Sequence, residues 1–198
     1  MYPHVDHNRQ QPILDIRHLS VQYGQTRVLD DLTFHLHAGE RVAVVGPNGA
    51  GKSTLFKVVA GVLAPTSGEV QIYGGGPSKH ICIAYIPQRT QVDWNFPVSV
   101  ADVVMMGRSA KMKPFSIPLR SDYEAVHKAL GTVDMLALEK RQISQLSGGQ
   151  QQRMFIARAL AQEAELILMD EPLAGLDAPS QEGVLALLEV LHQQKVTV

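Results

Sequence analysis

The chain has 198 residues, 18 of them basic and 19 acidic, and 45% of its residues are hydrophobic. This length predicts a single domain with a substantial core, and the composition excludes a mainly disordered chain. The formal charge of −1 excludes nucleic-acid binding driven by bulk electrostatics, and no apolar run reaches the ~18 residues of a membrane-spanning helix. The lone cysteine, Cys82, excludes an intramolecular disulfide, and its apolar neighbours predict a buried thiol.

The first half of the chain reads mainly as strands after a polar lead-in over residues 1–12. Alternating apolar residues predict short strand-like pieces within 14–23 and a strand over 28–36, whose polar face carries His35 and His37 toward solvent. The apolar, β-branched run at 41–45 is typical of a strand buried on both faces of a parallel sheet. A helical pattern then includes Val62 and ends at Pro65, and further strands are predicted at 70–73 and 81–86.

The second half changes to a mainly helical pattern. Ser99 opens a short helix as part of a capping box, and another helix begins at residue 121, so residues 89–146 read as a helical insert. A helix over 148–163, a buried strand over 166–169 and a helix over 180–194 follow. Residues 196–198 begin what reads as a further strand.

The strongest local signal is the pattern G-x-x-x-x-G-K-[ST] at residues 46–53. It follows a predicted buried strand and precedes a helix, as a phosphate-binding loop requires. Its backbone N–H groups can surround phosphate oxygens, Lys52 can reach the β- and γ-phosphates, and Ser53 can ligate Mg²⁺. The residues predicted to hold the nucleotide are Gly46, Pro47, Asn48, Gly49, Ala50, Gly51, Lys52, Ser53 and Thr54.

Two further segments carry chemistry. The strand at 166–169 ends in Asp170, which would lie near the magnesium ion, and Glu171 is then positioned to polarise an attacking water. Ser147 suits the N-cap of the next helix, and Gly148 and Gly149 permit close approach of the backbone to an anion. A capped helix with a flexible entry is the alternative interpretation of residues 146–150.

Taken together with Gln88 and residues 174–177, these motifs resemble the ATP-binding subunit of an ABC transporter, from about residue 13 to the end. Leu-Ser-Gly-Gly-Gln at 146–150 separates that family from other phosphate-loop proteins. The resemblance implies one nucleotide-binding domain over 1–198, of α/β P-loop NTPase fold. Its mainly parallel RecA-like core and N-terminal antiparallel β subdomain would occupy 13–88 and 147–198, with the inserted helical subdomain at 89–146.

The resemblance also implies residue roles. Glu171 and Gln88 would be catalytic, and Ser53, Gln88 and Asp170 would hold Mg²⁺. Tyr23 would stack on the adenine, although a tyrosine packed on the core at a strand edge is the alternative. Asp177 would lie in the loop that communicates between two sites, or would simply be a solvated turn residue. A second subunit's ATP would be completed in trans by Ser147, Gly148, Gly149 and Gln150.

The partners and cofactors follow from the same resemblance. ATP and Mg²⁺ would bridge two ATP-binding subunits head to tail, and hydrolysis would drive a polytopic permease from the cytoplasmic face of the inner membrane. A substrate-binding protein would take part indirectly. Soluble ABC proteins that act on ribosomes or DNA usually carry two cassettes or a long coiled coil, and neither is present in this sequence.

Residues 93–108 and 174–178 bear on the identity of the cargo, because they look like the corresponding residues of manganese, zinc and iron importers. Trp94 and Phe96 either dock the permease or pack within the helical insert. Import of chelated iron or another nutrient, or a regulator without turnover, are the alternatives. Family members continue beyond residue 198 to a histidine that contacts the γ-phosphate, and His192 is no substitute. The chain therefore looks truncated, and we expect hydrolysis to be impaired more than ATP binding.

Overall fold

The computed structural model describes residues 11–76, 82–88, 90, 92–113 and 116–198. The polar lead-in predicted for 1–12 lies outside this range except for its last two residues. The strands are β1 (Leu14–Tyr23), β2 (Thr26–Leu36), β3 (Ser67–Ile72), β4 (Ile83–Ile86) and β5 (Leu166–Met169). The helices are α1 (Lys52–Val59), α2 (Val100–Met106), α3 (Arg120–Thr132), α4 (Gly148–Ala161) and α5 (Ala178–Gln193), and two 3₁₀ turns span Leu136–Leu138 and Ile143–Gln145.

The N-terminal strands form an antiparallel sheet in the order β2-β1-β3. The short pieces predicted within 14–23 are one strand, whose register shifts between Ile16 and Leu19, where His18 has a φ of +50°. A bulge of this kind interrupts the alternation of side chains without ending the strand. His35 and His37 are exposed on β2, as predicted.

A parallel pair, β4 and β5, lies between two hydrophobic cores. All four residues of β5 are buried, which confirms the predicted buried strand. Leu166 and Leu168 pack with β1, β3 and α1, whereas Ile167 and Met169 pack with the helices α2 to α5. Because successive side chains of a strand point to opposite faces, this four-residue strand joins both cores.

Residues 41–45 differ from the prediction. They form no strand, and Val45 is 90% exposed. The Val42 amide donates to the Val198 carbonyl at 3.0 Å and the Val198 amide donates to Glu40 at 3.1 Å, but no other backbone hydrogen bond reaches 41–45 within the described ranges. A buried strand needs partners for all its backbone groups, so the predicted buried strand is wrong in this structure. The expected strand at 196–198 is reduced to one parallel bridge between Thr197 and Leu166.

The helices begin and end close to their sequence signals. Ser99 caps α2 through the predicted capping box with Asp102, and Gly107 ends the helix. Helix α3 begins one residue earlier than predicted, because the Asp122 carboxylate accepts from the Leu119 amide at 2.9 Å. The prediction of Val62 on the buried face of α1 is wrong, since α1 ends at Val59 and Val62 is 70% exposed.

The structure bears on the predictions for Cys82, Trp94 and Phe96. Cys82 is 5% exposed, as expected, and burial together with the nearby Glu165 carboxylate raises the pKa of its thiol to about 11. The Trp94 ring packs edge-on against Phe155, with 5.7 Å between ring centroids, and Phe155 lies on α4, outside the predicted insert at 89–146. Phe96 is 57% exposed. Among the described residues, no helix has the length and apolar character needed to cross a bilayer.

Candidate nucleotide-binding site

The loop at 46–54 wraps around the ammonium group of Lys52. Lys52 is the first residue of α1, and its Nζ donates to the carbonyl oxygens of Gly46 and Pro47, each at 2.9 Å. Gly51 has a φ of +90°, and a Cβ there would lie 2.9 Å from the Val28 carbonyl oxygen, so only glycine fits. The loop therefore presents a cation and the N-terminal end of a helix together, which suits a phosphate group.

Two carboxylates follow β5 directly. Asp170 is only 4% exposed, and its Oδ2 lies 3.4 Å from the Tyr85 hydroxyl on the neighbouring strand. Burial, with the Asp170 charge, raises the pKa of Tyr85 to about 12, so this hydroxyl stays protonated and can donate. Glu171 has a φ of +51°, a left-handed conformation that costs a residue with a Cβ about 1–2 kcal/mol. Strain of this kind concentrates at functional sites.

Gln88 and Glu171 meet at the edge of the parallel sheet. The Gln88 amide Nε2 donates to Glu171 Oε2 at 2.8 Å. Gln88 follows β4 and Glu171 follows β5, and parallel strands end at the same edge, so the two side chains meet although 83 positions separate them. This contact uses one Glu171 oxygen and leaves the other able to accept a proton from water.

A cavity of about 300 Å³ joins the loop to the carboxylates. Lys52 lines it together with Asp170 and Glu171, and most of the remaining wall is apolar. An apolar wall lowers the local dielectric, which strengthens the attraction of Lys52 for phosphate oxygens and of the two carboxylates for a cation. The structure thus brings together two motifs more than a hundred residues apart.

The side chains predicted to hold Mg²⁺ carry the oxygen atoms that this ion prefers as ligands. Asp170 supplies a buried carboxylate, and in the described part of the chain Tyr85 is its one hydrogen-bond donor. Ser53 is the second residue of α1 and carries a hydroxyl, and the Gln88 side chain keeps its amide oxygen. One or two carboxylates with neutral oxygens, completed by phosphate, is the donor set that Mg²⁺ takes in nucleotide sites.

Comparison with known proteins agrees with this geometry. A family model described as "ABC transporter" matches residues 29–174, well over half of the chain. The chain belongs to the ABC transporter family. More narrowly, it is an ATP-binding subunit of such a transporter, and membership implies that it binds ATP.

Relatives of this ABC subunit include several named for metal transport. The manganese transport ATP-binding protein MntB of Bacillus subtilis is 44% identical, with 93% of this chain and 74% of that protein covered. The zinc transport ATP-binding protein TroB of Treponema pallidum is also 44% identical, with 91% and 68% covered. YfeB of Yersinia pestis, of a chelated iron transport system, is 45% identical over 92% of this chain and 63% of its own length.

A solved structure supports the same fold. An ABC transporter assigned to the metal-chelate type, in an inward-facing conformation, superposes with a TM-score of 0.85 at 38% identity. The match covers 94% of this chain and 71% of that one. The expected P-loop fold with an N-terminal antiparallel sheet is therefore confirmed.

The family's Leu-Ser-Gly-Gly-Gln segment lies at the start of α4, away from the cavity of Lys52. Ser147 is the N-cap, as predicted: its Oγ accepts from the Gln150 amide, and Gln150 Oε1 accepts from the Ser147 amide at 3.0 Å. None of residues 146–150 is among the residues that line the cavity of about 300 Å³. A contact of this segment with nucleotide stays a prediction, and its capping role is what the structure shows.

Gly149 has a packing role that the sequence did not reveal. A Cβ at this position would lie 2.6 Å from Ser180 Oγ and 2.8 Å from Ser180 Cβ on α5. We expect Gly149→Ala to destabilise the ABC subunit by about 1–3 kcal/mol in urea unfolding, because α4 and α5 must separate. Combining it with Ser180→Gly should recover most of the loss. If Gly149→Ala lowered the stability equally in the chain with Ser180 and in the Ser180→Gly variant, the contact with Ser180 would not be the cause.

Tyr23 and Asp177, predicted to stack on adenine and to communicate between two sites, are both exposed. Tyr23 ends β1 and is 50% exposed, so the alternative of a tyrosine packed on the core is wrong. Asp177 is the N-cap of α5, where its carboxylate accepts from the Ser180 amide at 2.9 Å, and hydrogen bonding to Ser180 lowers its pKa. Adenine stacking by Tyr23 and communication through Asp177 stay predictions.

Tyr85 is the residue near this ABC site that sequence reasoning missed. Its position gave a signal, since it lies three residues before Gln88 on the strand predicted at 81–86. A tyrosine in an apolar strand, however, is typically interpreted as a core residue. That Tyr85 and Asp170 face each other depends on the register of β4 against β5.

Proposed function

We propose that this chain binds ATP with Mg²⁺ at the cavity of Lys52, Asp170 and Glu171, and that hydrolysis there powers import of a transition metal. The observation that carries the proposal is the shared cavity, together with the hydrogen bond from Gln88 to Glu171. A cation from the loop, a buried carboxylate and a second carboxylate with one unengaged oxygen are the parts that phosphoryl transfer to water needs.

Phosphate binding begins with an exchange of partners at Lys52. Its ammonium group, now bonded to two loop carbonyls, would turn to the β- and γ-phosphate oxygens. Because both arrangements satisfy the ammonium group with oxygen acceptors, the exchange costs little. The phosphate bonds are stronger because donor and acceptor then both carry charge. When bound between Ser53, Gln88 and Asp170, Mg²⁺ would neutralise charge on the phosphates.

Hydrolysis would depend on Glu171 as the general base. Its second carboxylate oxygen would accept a proton from the attacking water, while Gln88 holds the first oxygen. The positive φ of Glu171 sets the direction of this side chain relative to β5. Impaired turnover by this chain, expected from its sequence, stays a prediction.

Partners are proposed from the family. A second ATP-binding subunit would place its Ser147 to Gln150 against this chain's ATP, and a membrane permease would receive the motion at the cytoplasmic face of the inner membrane. Backbone hydrogen bonds between residues 98–101 and 139–143 join the two ends of the helical insert, which supports its movement as a unit. Phe96 is exposed and is available for docking, whereas Trp94 packs on α4.

The cargo is proposed as a transition metal, either as the ion or as a chelate. Relatives at 44–45% identity are named for manganese, zinc and chelated iron, and the superposed transporter is assigned to the metal-chelate type. A subunit of this type drives transport without touching the cargo, so the choice among these metals needs an experiment on cells.

The binding proposal is tested by replacing Lys52. We expect Lys52→Met to weaken binding of a fluorescent ATP analogue by about 10²-fold, since it removes a charge-assisted pair of about 1.5–3 kcal/mol from the site. Lys57→Met is the matched control, because Lys57 lies in the last turn of the same helix. This variant should bind the ATP analogue as tightly as the unaltered chain does. Equal affinities for Lys52→Met and the unaltered chain would refute the proposed site.

The transport proposal is tested in cells. A strain lacking the gene is grown under metal limitation and complemented with this chain or its Lys52→Met variant, and cellular manganese, zinc and iron are measured. Loss of one metal, restored at least in part by the unaltered chain and not by Lys52→Met, would support the proposal. Iron loss that appears only when iron is supplied as a chelate would identify the chelate as cargo. Unchanged content of all three metals would refute metal import.

A further inference from the structure

We propose that Tyr85 is a positioning residue for Asp170, whose hydroxyl holds the carboxylate in the orientation that receives Mg²⁺. The inference rests on the proposed function, because it concerns the cation that accompanies ATP. It adds a residue of β4 to a site otherwise built from the loop at 46–54, Gln88 and the residues after β5.

The position of Tyr85 follows from strand register. Tyr85 pairs with Leu168 across the parallel ladder. Asp170 lies two residues after Leu168, directly past the end of β5, where its amide still donates to the Ile86 carbonyl at 3.0 Å. Side chains two apart on a strand share a face, so Tyr85 and Asp170 face the same side of the sheet. The partly buried tyrosine ring thereby brings its hydroxyl to 3.4 Å from Asp170 Oδ2.

Asp170 needs such a partner. At 4% exposure its carboxylate is largely removed from water, and in the described ranges Tyr85 is its one hydrogen-bond donor. A buried carboxylate with one long hydrogen bond is poorly solvated, which favours arrival of a cation. A neutral hydroxyl on Oδ2 restrains rotation of the carboxylate without competing as a positive charge would, and it leaves Oδ1 available to a cation.

The same β5 strand supplies a matched control at its other end. Glu165 precedes the strand, and its Oε2 accepts from the Tyr73 hydroxyl at 2.7 Å. Tyr73→Phe removes a shorter tyrosine-to-carboxylate hydrogen bond, at the other end of β5, without touching Asp170. Any effect of losing a sheet hydroxyl in general should therefore appear in both variants.

The experiment compares Tyr85→Phe, Tyr73→Phe and the unaltered chain. The affinity of a fluorescent, non-hydrolysable ATP analogue is measured once in excess EDTA and once in excess Mg²⁺, and the ratio of the two affinities is the gain due to Mg²⁺. We expect Tyr85→Phe to reduce this ratio about three- to tenfold, with the affinity in EDTA unchanged. Tyr73→Phe should leave both values unchanged. Tyr85→Met, which also lacks the hydroxyl, should reproduce the reduced ratio.

Each other outcome counts against a stated claim. An unchanged ratio in Tyr85→Phe, with a clear Mg²⁺ gain in the unaltered chain, overturns the role of Tyr85 and leaves the proposed function standing. Equal weakening in EDTA and in Mg²⁺ shows a merely structural role and also overturns it. Absence of any Mg²⁺ gain in the unaltered chain overturns both this inference and the Mg²⁺ part of the proposed function.

Discussion

Replacing Glu171 with glutamine should slow ATP hydrolysis by about 10²- to 10⁴-fold, the usual contribution of a general base. The amide keeps the shape of the side chain and can still bond to Gln88, but it cannot accept a proton from water. Release of phosphate from radiolabelled ATP, measured with the subunit in excess, gives the rate. ATP affinity should stay nearly unchanged, because Lys52 and the loop at 46–54 are untouched.

Glu165→Gln provides the control for this prediction. Glu165 lies at the opposite end of β5 and bonds to Tyr73, outside the cavity of Lys52. Its replacement should leave the hydrolysis rate within about twofold of the unaltered chain, since Glu165 does not line the cavity and glutamine keeps an oxygen that can accept from Tyr73. A Glu171→Gln variant that retained full turnover, or that left the lifetime of an ATP-bound pair of subunits unaltered, would exclude Glu171 as the base.

Arg108→Met should be the most damaging substitution for stability, costing about 3–5 kcal/mol because it leaves buried charge uncompensated. Arg108 is 8% exposed and donates to Asp122 at 3.0 Å, to the Ala161 carbonyl at 2.8 Å and to Glu163 at 2.8 Å. It thereby ties α3 and the end of α4 to the segment that follows α2. Burial works to lower its pKa, and the two carboxylates raise the pKa above its ordinary value.

Urea unfolding measures this loss, with Arg120→Met as control. Arg120 also pairs with a glutamate, Glu124 at 2.9 Å, but is 94% exposed, so its removal should move the unfolding midpoint little. A similar midpoint shift for both variants would show that burial does not decide the strength of the Arg108 network.

The pH dependence of stability should show the contribution of the Asp122 carboxylate to the same network. The pKa of Asp122 is lowered by the hydrogen bond from the Leu119 amide and by Arg108. A carboxyl whose pKa is lower in the folded state than in the unfolded chain stabilises the fold. This contribution is complete above the unfolded pKa of about 4 and is lost as the pH falls through the folded pKa. The destabilisation by Asp122→Asn should therefore be constant above about pH 5 and shrink below about pH 4. A loss that grew on acidification would contradict this assignment.

The phosphate loop and the carboxylates after β5 could be predicted because their signals are local. A glycine-rich turn between strand and helix, or a buried run ending in two acidic residues, specifies its own backbone within about ten residues. The caps of α2 and α4 were found for the same reason, since a serine and the residue three positions later complete each one.

Other features depended on contacts between distant segments. The run at 41–45 reads as a buried strand, but a strand needs backbone partners from another segment. Among the described residues, Val198 alone makes a backbone hydrogen bond to this run. Gly149 reads as a residue for anion binding, yet its neighbour is Ser180 of α5. Neither partner can be inferred from the residues nearby.

The sequence by itself determined which residues handle phosphate, which carboxylates accompany them and which family the chain resembles, because these properties reside in short motifs. Only the tertiary structure decided that Gln88 bonds to Glu171, that Tyr85 faces Asp170 and that Lys52 shares a cavity with both carboxylates. The physical reason is the register of β4 against β5: a parallel ladder aligns the ends of two strands, and a shift of one residue would turn Tyr85 to the other face.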